Sequence, residues 1–340
     1  VISGQNPVLS VIVPARNEEA CLGPCLESLV SQSGMNFEVI VVDDASTDHT
    51  AEVARSFNVI VISAPPLPGN WTGKNNAMAC GAKIAKGKWL LFTDADTVHK
   101  PGSLARAVAE AERHGAALLS YSPEQEVRTF WEKAVMPVIF AELAAAYPPR
   151  KVSDPAFPIA AANGQYLMIS REAYDAVSGH TKIAGDLLED VAMARLVKSS
   201  GRKIIFRYGG DAVRTRMYRS WPQMKEGWTK NLALLFPRPR TLGLFRGTEF
   251  ILICSNVVAT VLLPFFGYSQ SAIVTGSAAA ILIAVFWARI RGAHFSLPSN
   301  FFALGGLAVF SYLLLRSANL HGRHAVTWKG RRYGGFGAPI

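Results

Sequence analysis

The sequence predicts an α/β fold, a mostly parallel sheet flanked by helices, followed by C-terminal transmembrane helices. Three observations predict it. Short β-branched runs alternate with helical stretches four times within the first hundred residues, the pattern of βαβ units. The polar, chemistry-bearing residues fall directly after those runs, at the strand ends where open α/β sheets bind ligands. Residues 250–288 form a run of 39 positions without one charged side chain, enough for two helices at about 20 residues per crossing.

Taken in order, residues 9–14 read as the first strand, and Ala15-Arg16-Asn17-Glu18-Glu19 as a polar loop. A helix then runs to about residue 32, with Leu22, Leu26 and Leu29 on one face. Residues 37–42 are a second buried strand, followed by Asp43-Asp44-Ala45-Ser46-Thr47-Asp48. Ser46 or Thr47 is expected to cap a helix starting near Asp48, whose early carboxylate suits the helix dipole. Residues 58–62 form a third strand, 63–72 a proline- and glycine-rich loop, 75–86 a helix and 88–93 a fourth strand. Further on, residues 101–114 predict a helix and 117–121 a strand. Residues 129–147 predict an apolar helix, either in the core or on a membrane surface. Residues 165–170 predict a strand, 187–200 a helix with Glu189 and Asp190 in its first turn, and 203–208 a strand.

Pro264, Gly267 and Gln270 mark the turn of the uncharged hairpin. Arg238, Arg240 and Arg246 precede it, and Arg289 and Arg291 follow it, so the positive-inside rule puts both outer ends in the cytoplasm. A third apolar run, 295–315, conflicts with that rule if it spans. It would place Arg323, Lys329, Arg331 and Arg332 outside, whereas a re-entrant or interfacial helix would not. The expected organisation is a cytoplasmic catalytic domain over 1–245, a membrane region over 246–318 and a basic tail over 319–340. The expected setting is a bacterial cell membrane.

The formal net charge is +10 and half the residues are hydrophobic. Basic residues cluster beside apolar spans, as suits an anionic leaflet, and no nucleic-acid-binding signature accompanies them. Cys21, Cys25, Cys80 and Cys254 form no disulfide framework or metal cluster. The chain opens at Val1, which leaves room for an upstream segment, and no signal peptide is visible in the residues given.

The chemistry centres on Leu90-Leu91-Phe92-Thr93-Asp94-Ala95-Asp96. Residues i and i+2 of an extended chain face one side, so Asp94 and Asp96 can share a point in space. Two hard oxygen ligands suit Mg²⁺ or Mn²⁺, which also bind substrate phosphates. An isolated D-x-D is more often a solvated turn; here the neighbouring motifs favour a site. The first strand is followed by neither G-x-G-x-x-G nor a Walker A sequence, so a nucleotide would be bound in some other way.

Residues 11–18 (Val-Ile-Val-Pro-Ala-Arg-Asn-Glu), 41–48 (Val-Val-Asp-Asp-Ala-Ser-Thr-Asp), Asp94-Ala95-Asp96 and Glu189-Asp190 together resemble the family 2 glycosyltransferases, with their GT-A fold. Within that family, Gly69-Asn70-Trp71-Thr72-Gly73-Lys74-Asn75-Asn76-Ala77, the hairpin and the tail Trp328-Lys329-Gly330-Arg331-Arg332-Tyr333 resemble membrane-bound hopanoid-associated and carotenoid-type lipid glycosyltransferases. The resemblance implies a nucleotide pocket shaped by Pro14, Arg16 and Glu18, with Asp43 or Asp44 accepting hydrogen bonds from uracil or ribose. It implies Lys74 near the base or diphosphate and Asp94 near the ribose. Asp96 would hold the metal, Glu189 would line the donor site, and Asp190 would be the general base. A processive synthase would carry Q-x-x-R-W after the base. That sequence is absent, and Arg216, Arg219 or Lys230 could supply a cation to the diphosphate, or could contact lipid phosphates instead.

The implied function is a metal-dependent, inverting transfer of one sugar from a nucleotide-sugar, a UDP-sugar by expectation, to a hydroxyl or carboxyl of a membrane lipid. The alternatives are a processive polysaccharide synthase and a membrane protein that binds nucleotide-sugars without catalysis.

Overall fold

The computed structural model describes residues 6–333. Its first half runs β1 (Leu9–Ala15), α1 (Glu19–Val30), β2 (Phe37–Asp43), α2 (Thr50–Arg55), β3 (Ile60–Ser63), α3 (Gly73–Ile84), β4 (Trp89–Phe92), β5 (Thr97–His99), α4 (Ser103–His114), β6 (Leu118–Ser122) and β7 (Glu124–Gln125). There follow α5 (Phe130–Ala146), α6 (Pro149–Ser153), β8 (Leu167–Ser170), α7 (Arg171–Ala176), α8 (Gly179–Lys182), α9 (Glu189–Ser199), β9 (Ile204–Tyr208) and β10 (Val213–Thr215). The chain ends with α10 (Trp221–Leu235), α11 (Pro239–Leu262), α12 (Ser269–Ile290), α13 (Leu297–Gly322) and the hairpin β11 (Val326–Trp328) and β12 (Arg331–Tyr333).

Two compact units divide these elements. One comprises Val1–Glu126 with Tyr147–Met217, and the other Val127–Ala146 with Tyr218–Ile340. The first is built on a seven-stranded sheet of order β3-β2-β1-β4-β8-β6-β9. The strands β3, β2, β1 and β4 run parallel, as the βαβ pattern predicts, while β8 is antiparallel to both β4 and β6. Alternate residues of β1 enter opposite layers. Leu9, Val11 and Val13 pack with Leu22, Leu26 and Leu29 of α1, and Ile12 packs with Ala77 and Met78 of α3. Both faces of the sheet are thus buried, which is why its strands read as continuous apolar runs.

Three findings correct or extend the sequence reading. Neither Ser46 nor Thr47 caps the second helix, which starts only at Thr50. Asp48 Oδ1 takes the Thr50 backbone N–H at 3.0 Å, while Ser46 Oγ receives the Asn17 N–H. A second, three-stranded sheet, β5-β10-β7, consists of strands of two or three residues, too short to show a period. The apolar segment 129–147 is α5, whose residues from Glu132 to Glu142 are largely buried within the second unit, with Phe130 and Trp131 exposed.

Three helical segments are long and apolar enough to cross a membrane: Pro239–Phe266, Ser269–Ala293 and Leu297–Gly322. The first two form the foreseen hairpin, turning at residues 263–268, with Thr260 Oγ1 and Thr275 Oγ1 3.0 Å apart across it.

Candidate active site

The first unit gathers its functional side chains at the carboxyl ends of β1, β2 and β4. The loops after β1 and β2 are laced together. Asn17 N donates to Ser46 Oγ at 3.0 Å, Thr47 N donates to Asn17 Oδ1 at 2.8 Å, and Glu18 N donates to Thr50 Oγ1 at 2.8 Å. Asp48 Oδ2 accepts from Glu19 N, so the end of one motif caps the helix that follows the other. Arg16 reaches over from Ala15 to donate to the Asp44 carbonyl at 2.7 Å. Pro14 pairs with Val42, Asp43 Oδ1 accepts from Ser46 N, and Asp44 is largely buried. Asn17 and Ala45 hold the left-handed backbone that these tight loops require (φ 53° and 54°).

Strand β4 ends at Phe92, and Asp94–Thr97 is a turn closed by Thr97 N donating to Asp94 O. The two aspartates therefore sit on a turn, not on extended chain, with buried Ala95 between two half-buried carboxylates. The turn is fixed from behind. Thr97 Oγ1 donates to Asp94 O at 2.8 Å and Thr215 Oγ1 to Asp96 O at 3.2 Å. Gln165 Nε2 donates in turn to Thr215 Oγ1, and Thr93 Oγ1 donates to Gln165 O. The same buried network holds His99, which burial pushes down to about 3 and so keeps neutral.

Lys74 stands in the first turn of α3, the unfavourable end of a helix dipole for a cation. Its Nζ lies 2.7 Å from Asp94 Oδ1 and 2.7 Å from Glu189 Oε1. Burial works against the charged amine, but the two carboxylates outweigh it and hold Lys74 protonated. The register between α3 and α9 comes from Asn75, whose Nδ2 donates to the carbonyls of Ile183, Ala184 and Asp186 at 2.7–3.1 Å. These residues lead straight into Glu189 and Asp190.

Asp190 Oδ2 accepts from Gly164 N at 2.8 Å and Oδ1 from Val191 N at 2.8 Å. Burial first, and then the neighbouring Glu189 charge, push its pKa up to about 6, against the pull of Lys74 and the two N–H donors. A Cβ at Gly164 would lie 3.0 Å from both Glu189 Oε1 and Lys74 Nζ and would press on the ends of both side chains. Gly164, Gln165 and Thr215 were invisible in the sequence, since they act through a backbone N–H and buried bonds and carry no motif chemistry of their own.

The structure thus joins Lys74, Asp94, Glu189 and, through Gly164, Asp190. Arg216 follows Thr215 directly and is half-buried in the same unit. Arg219 and Lys230 belong to the second unit. Arg219 is exposed, and the Lys230 ammonium lies 5.3 Å over the Trp328 ring. Among the described residues no group of three or more His, Cys, Asp or Glu side chains could hold a metal by itself. Mg²⁺ and Mn²⁺ are commonly held by one or two carboxylates together with substrate phosphates and water. Lys74 Nζ occupies Asp94 Oδ1, and Asp96 is the other half-buried carboxylate of the turn.

The mostly parallel sheet with its flanking helices makes a GT-A-like fold. The family model of glycosyl transferase family 2 matches residues 10–177. Residues 10–177 thus form a glycosyl transferase family 2 domain. A 4,4'-diaponeurosporenoate glycosyltransferase of Staphylococcus aureus (strain USA300) is 30% identical over 234 residues, covering 66% of this chain and 60% of the relative. The chain thus spans about three fifths of the length of the curated relatives it matches. Among solved structures, the mannosyltransferase PcManGT from Pyrobaculum calidifontis, in complex with GDP-Man and Mn²⁺, matches with a TM-score of 0.53 at 18% identity. That match covers 93% of this chain and 87% of the other.

Proposed function

We propose that this chain is an inverting glycosyltransferase that moves a single sugar from a nucleotide-sugar to a membrane lipid. The observation that carries the reading is the Lys74–Asp94–Glu189 ion cluster with Asp190 held beside it on Gly164 N. The curated relative named for diaponeurosporenoate supports a lipid acceptor, and so do the three apolar helices. The donor is a nucleoside diphosphate sugar, with uridine as the first base to test.

Asp190 is the general base. Two N–H donors orient its carboxylate, and a pKa near 6 leaves it ionised yet basic at neutral pH. It takes the proton of the acceptor hydroxyl as that oxygen attacks the anomeric carbon opposite the departing diphosphate; an ionised carboxyl acceptor would need no such step. Lys74 supplies fixed positive charge at the same edge, and Arg16 with Asp43 and Asp44 shapes the nucleoside end. Asp96 would hold the divalent cation; what such an ion supplies is charge neutralisation on the leaving diphosphate. The absence of Q-x-x-R-W supports one transfer over chain extension.

The test is nucleoside diphosphate release by the detergent-purified protein, offered a panel of nucleotide-sugars with Mg²⁺ or Mn²⁺, with and without a lipid extract. Lipid-stimulated release is expected, falling about 10²- to 10⁴-fold in Asp190→Asn, which keeps the shape but loses the base. Undiminished release in that variant would remove Asp190 from the mechanism. Release with soluble acceptors alone would remove the lipid.

A further inference from the structure

We infer that, of the described residues, only α11 and α12 cross the membrane, and that α13 lies against the membrane surface with α5 and α10 and does not cross. Length and hydropathy treat the three helices alike; their neighbours do not. Of the apolar core of each, 6% is buried for the first helical segment and 17% for the second, but 50% for α13.

What buries α13 decides its place. Its first half lies on α5: Phe302 packs on Phe130, and Gly306 meets the Ala134 backbone beside Val138. Its second half lies on α10. Tyr312 sits beneath the Lys225 ammonium, Ser317 Oγ donates to Thr229 O at 2.6 Å, and His321 Nε2 lies 2.8 Å from Lys230 O. Neither partner is built to cross. The 15-residue α10 carries Lys225, Glu226 and Lys230, and α5 has 17 residues and carries Glu132, Lys133 and Glu142. A helix lined along both halves by such elements cannot sit in hydrocarbon without dragging their charges in.

The contact with α11 agrees. Ser311 Oγ donates to Gly243 O at 2.7 Å, and a Cβ at Gly247 would touch Ser311. Both glycines precede Glu249, where Glu142, Arg246, Glu249 and Arg289 pair with one another at distances of 2.9–3.3 Å. That charged knot marks the base of the uncharged hairpin, and the second half of α13 meets α11 on its charged side. Arg316, Asn319, His321 and Arg323 then occupy the end of α13, where water and headgroups are needed.

The surface this leaves suits a bilayer interface. Leu297, Phe301, Phe130 and Trp131 are 84%, 68%, 56% and 41% exposed, and Trp131 stacks on Trp221 with ring centroids 4.9 Å apart. Exposed aromatic residues continuous with an apolar hairpin are interfacial anchors. Two crossings also return Arg323, Lys329, Arg331 and Arg332 to the side of Arg238 and Arg240, which removes the conflict with the positive-inside rule.

The test is topological and does not depend on the enzymatic reading. A reporter after Ile340 of the full chain is compared with one inserted after Gly267, at the hairpin turn. Alkaline phosphatase after Ile340 is expected to be about ten-fold or more less active than at the turn, and green fluorescent protein after Ile340 to be bright. Independently, Asn319→Cys is expected to react with an impermeant maleimide in inverted vesicles and not in right-side-out ones, read on the labelled peptide by mass spectrometry. Phosphatase activity after Ile340 equal to that at the turn, or labelling of residue 319 only from the outside, would overturn the inference and make α13 a third span.

Discussion

Asp190 and Glu189 are neighbours in sequence with opposite duties. Glu189 is nearly buried and bound to Lys74; Asp190 is held by N–H donors and titrates near neutrality. A base works only when ionised, so activity should fall as pH drops through about 6. The sign for folding is the reverse. With the pKa raised from 3.8, the native state favours the protonated acid, and its contribution to stability is lost as pH rises from about 4 towards 6. Glu189→Gln removes a like charge from Asp190 and leaves Lys74 with one carboxylate fewer. Both changes favour the ionised form, so the acid limb of kcat/KM should move to lower pH. A limb that stays in place in a pH–rate profile would show that Glu189 does not set the basicity of Asp190.

At the scale of elements, the parallel strands were legible because both faces of the sheet's centre are buried, so β1, β2 and β4 read as mostly apolar runs. The carboxylates at their ends were legible because ion chemistry demands those residue types. The three-stranded sheet was not, since pairing 215 with 97 and 125 is a long-range event with no local period. Nor was the partner of α13, because an apolar helix reads the same whether protein or lipid covers it. Gly306 makes that partnership testable. A side chain there would overlap the Ala134 carbonyl, whereas next door at Gly305 nothing lies within 4 Å. Gly306→Leu should force α5 and α13 apart and cost about 1–3 kcal/mol or more, seen as a lowered Tm in detergent. Gly305→Leu should leave Tm almost unchanged. Equal behaviour of the two variants would mean that the α5–α13 contact contributes little.

Across the whole molecule, basic residues cluster beside the three long apolar helices, and a few arginines enter those helices. Arg246 and Arg289 both lie close to the uncharged run, and no local pattern reveals what neutralises both of them. Glu249 is local to Arg246, but Glu142 comes from a helix 104 residues earlier. Glu142 Oε1 lies 2.9 Å from Arg246 Nε and 3.3 Å from Arg289 Nε as an ion pair, so one carboxylate on α5 balances both helices of the hairpin. The knot adds to the packing of α5 on α13 in holding residues 127–146 in the C-terminal compact unit, while the chain on either side belongs to the other. All four side chains are less than one fifth exposed, so removing one partner strands a poorly solvated charge. Glu142→Gln should therefore destabilise the helical unit by about 3–5 kcal/mol, whereas replacing all four residues with Leu or Met should be close to neutral. Thermal unfolding in detergent, followed by α-helical circular dichroism, separates the two cases. If the single change were as mild as the quadruple one, water must reach the knot, and the membrane boundary would have to lie further along the hairpin than Glu249.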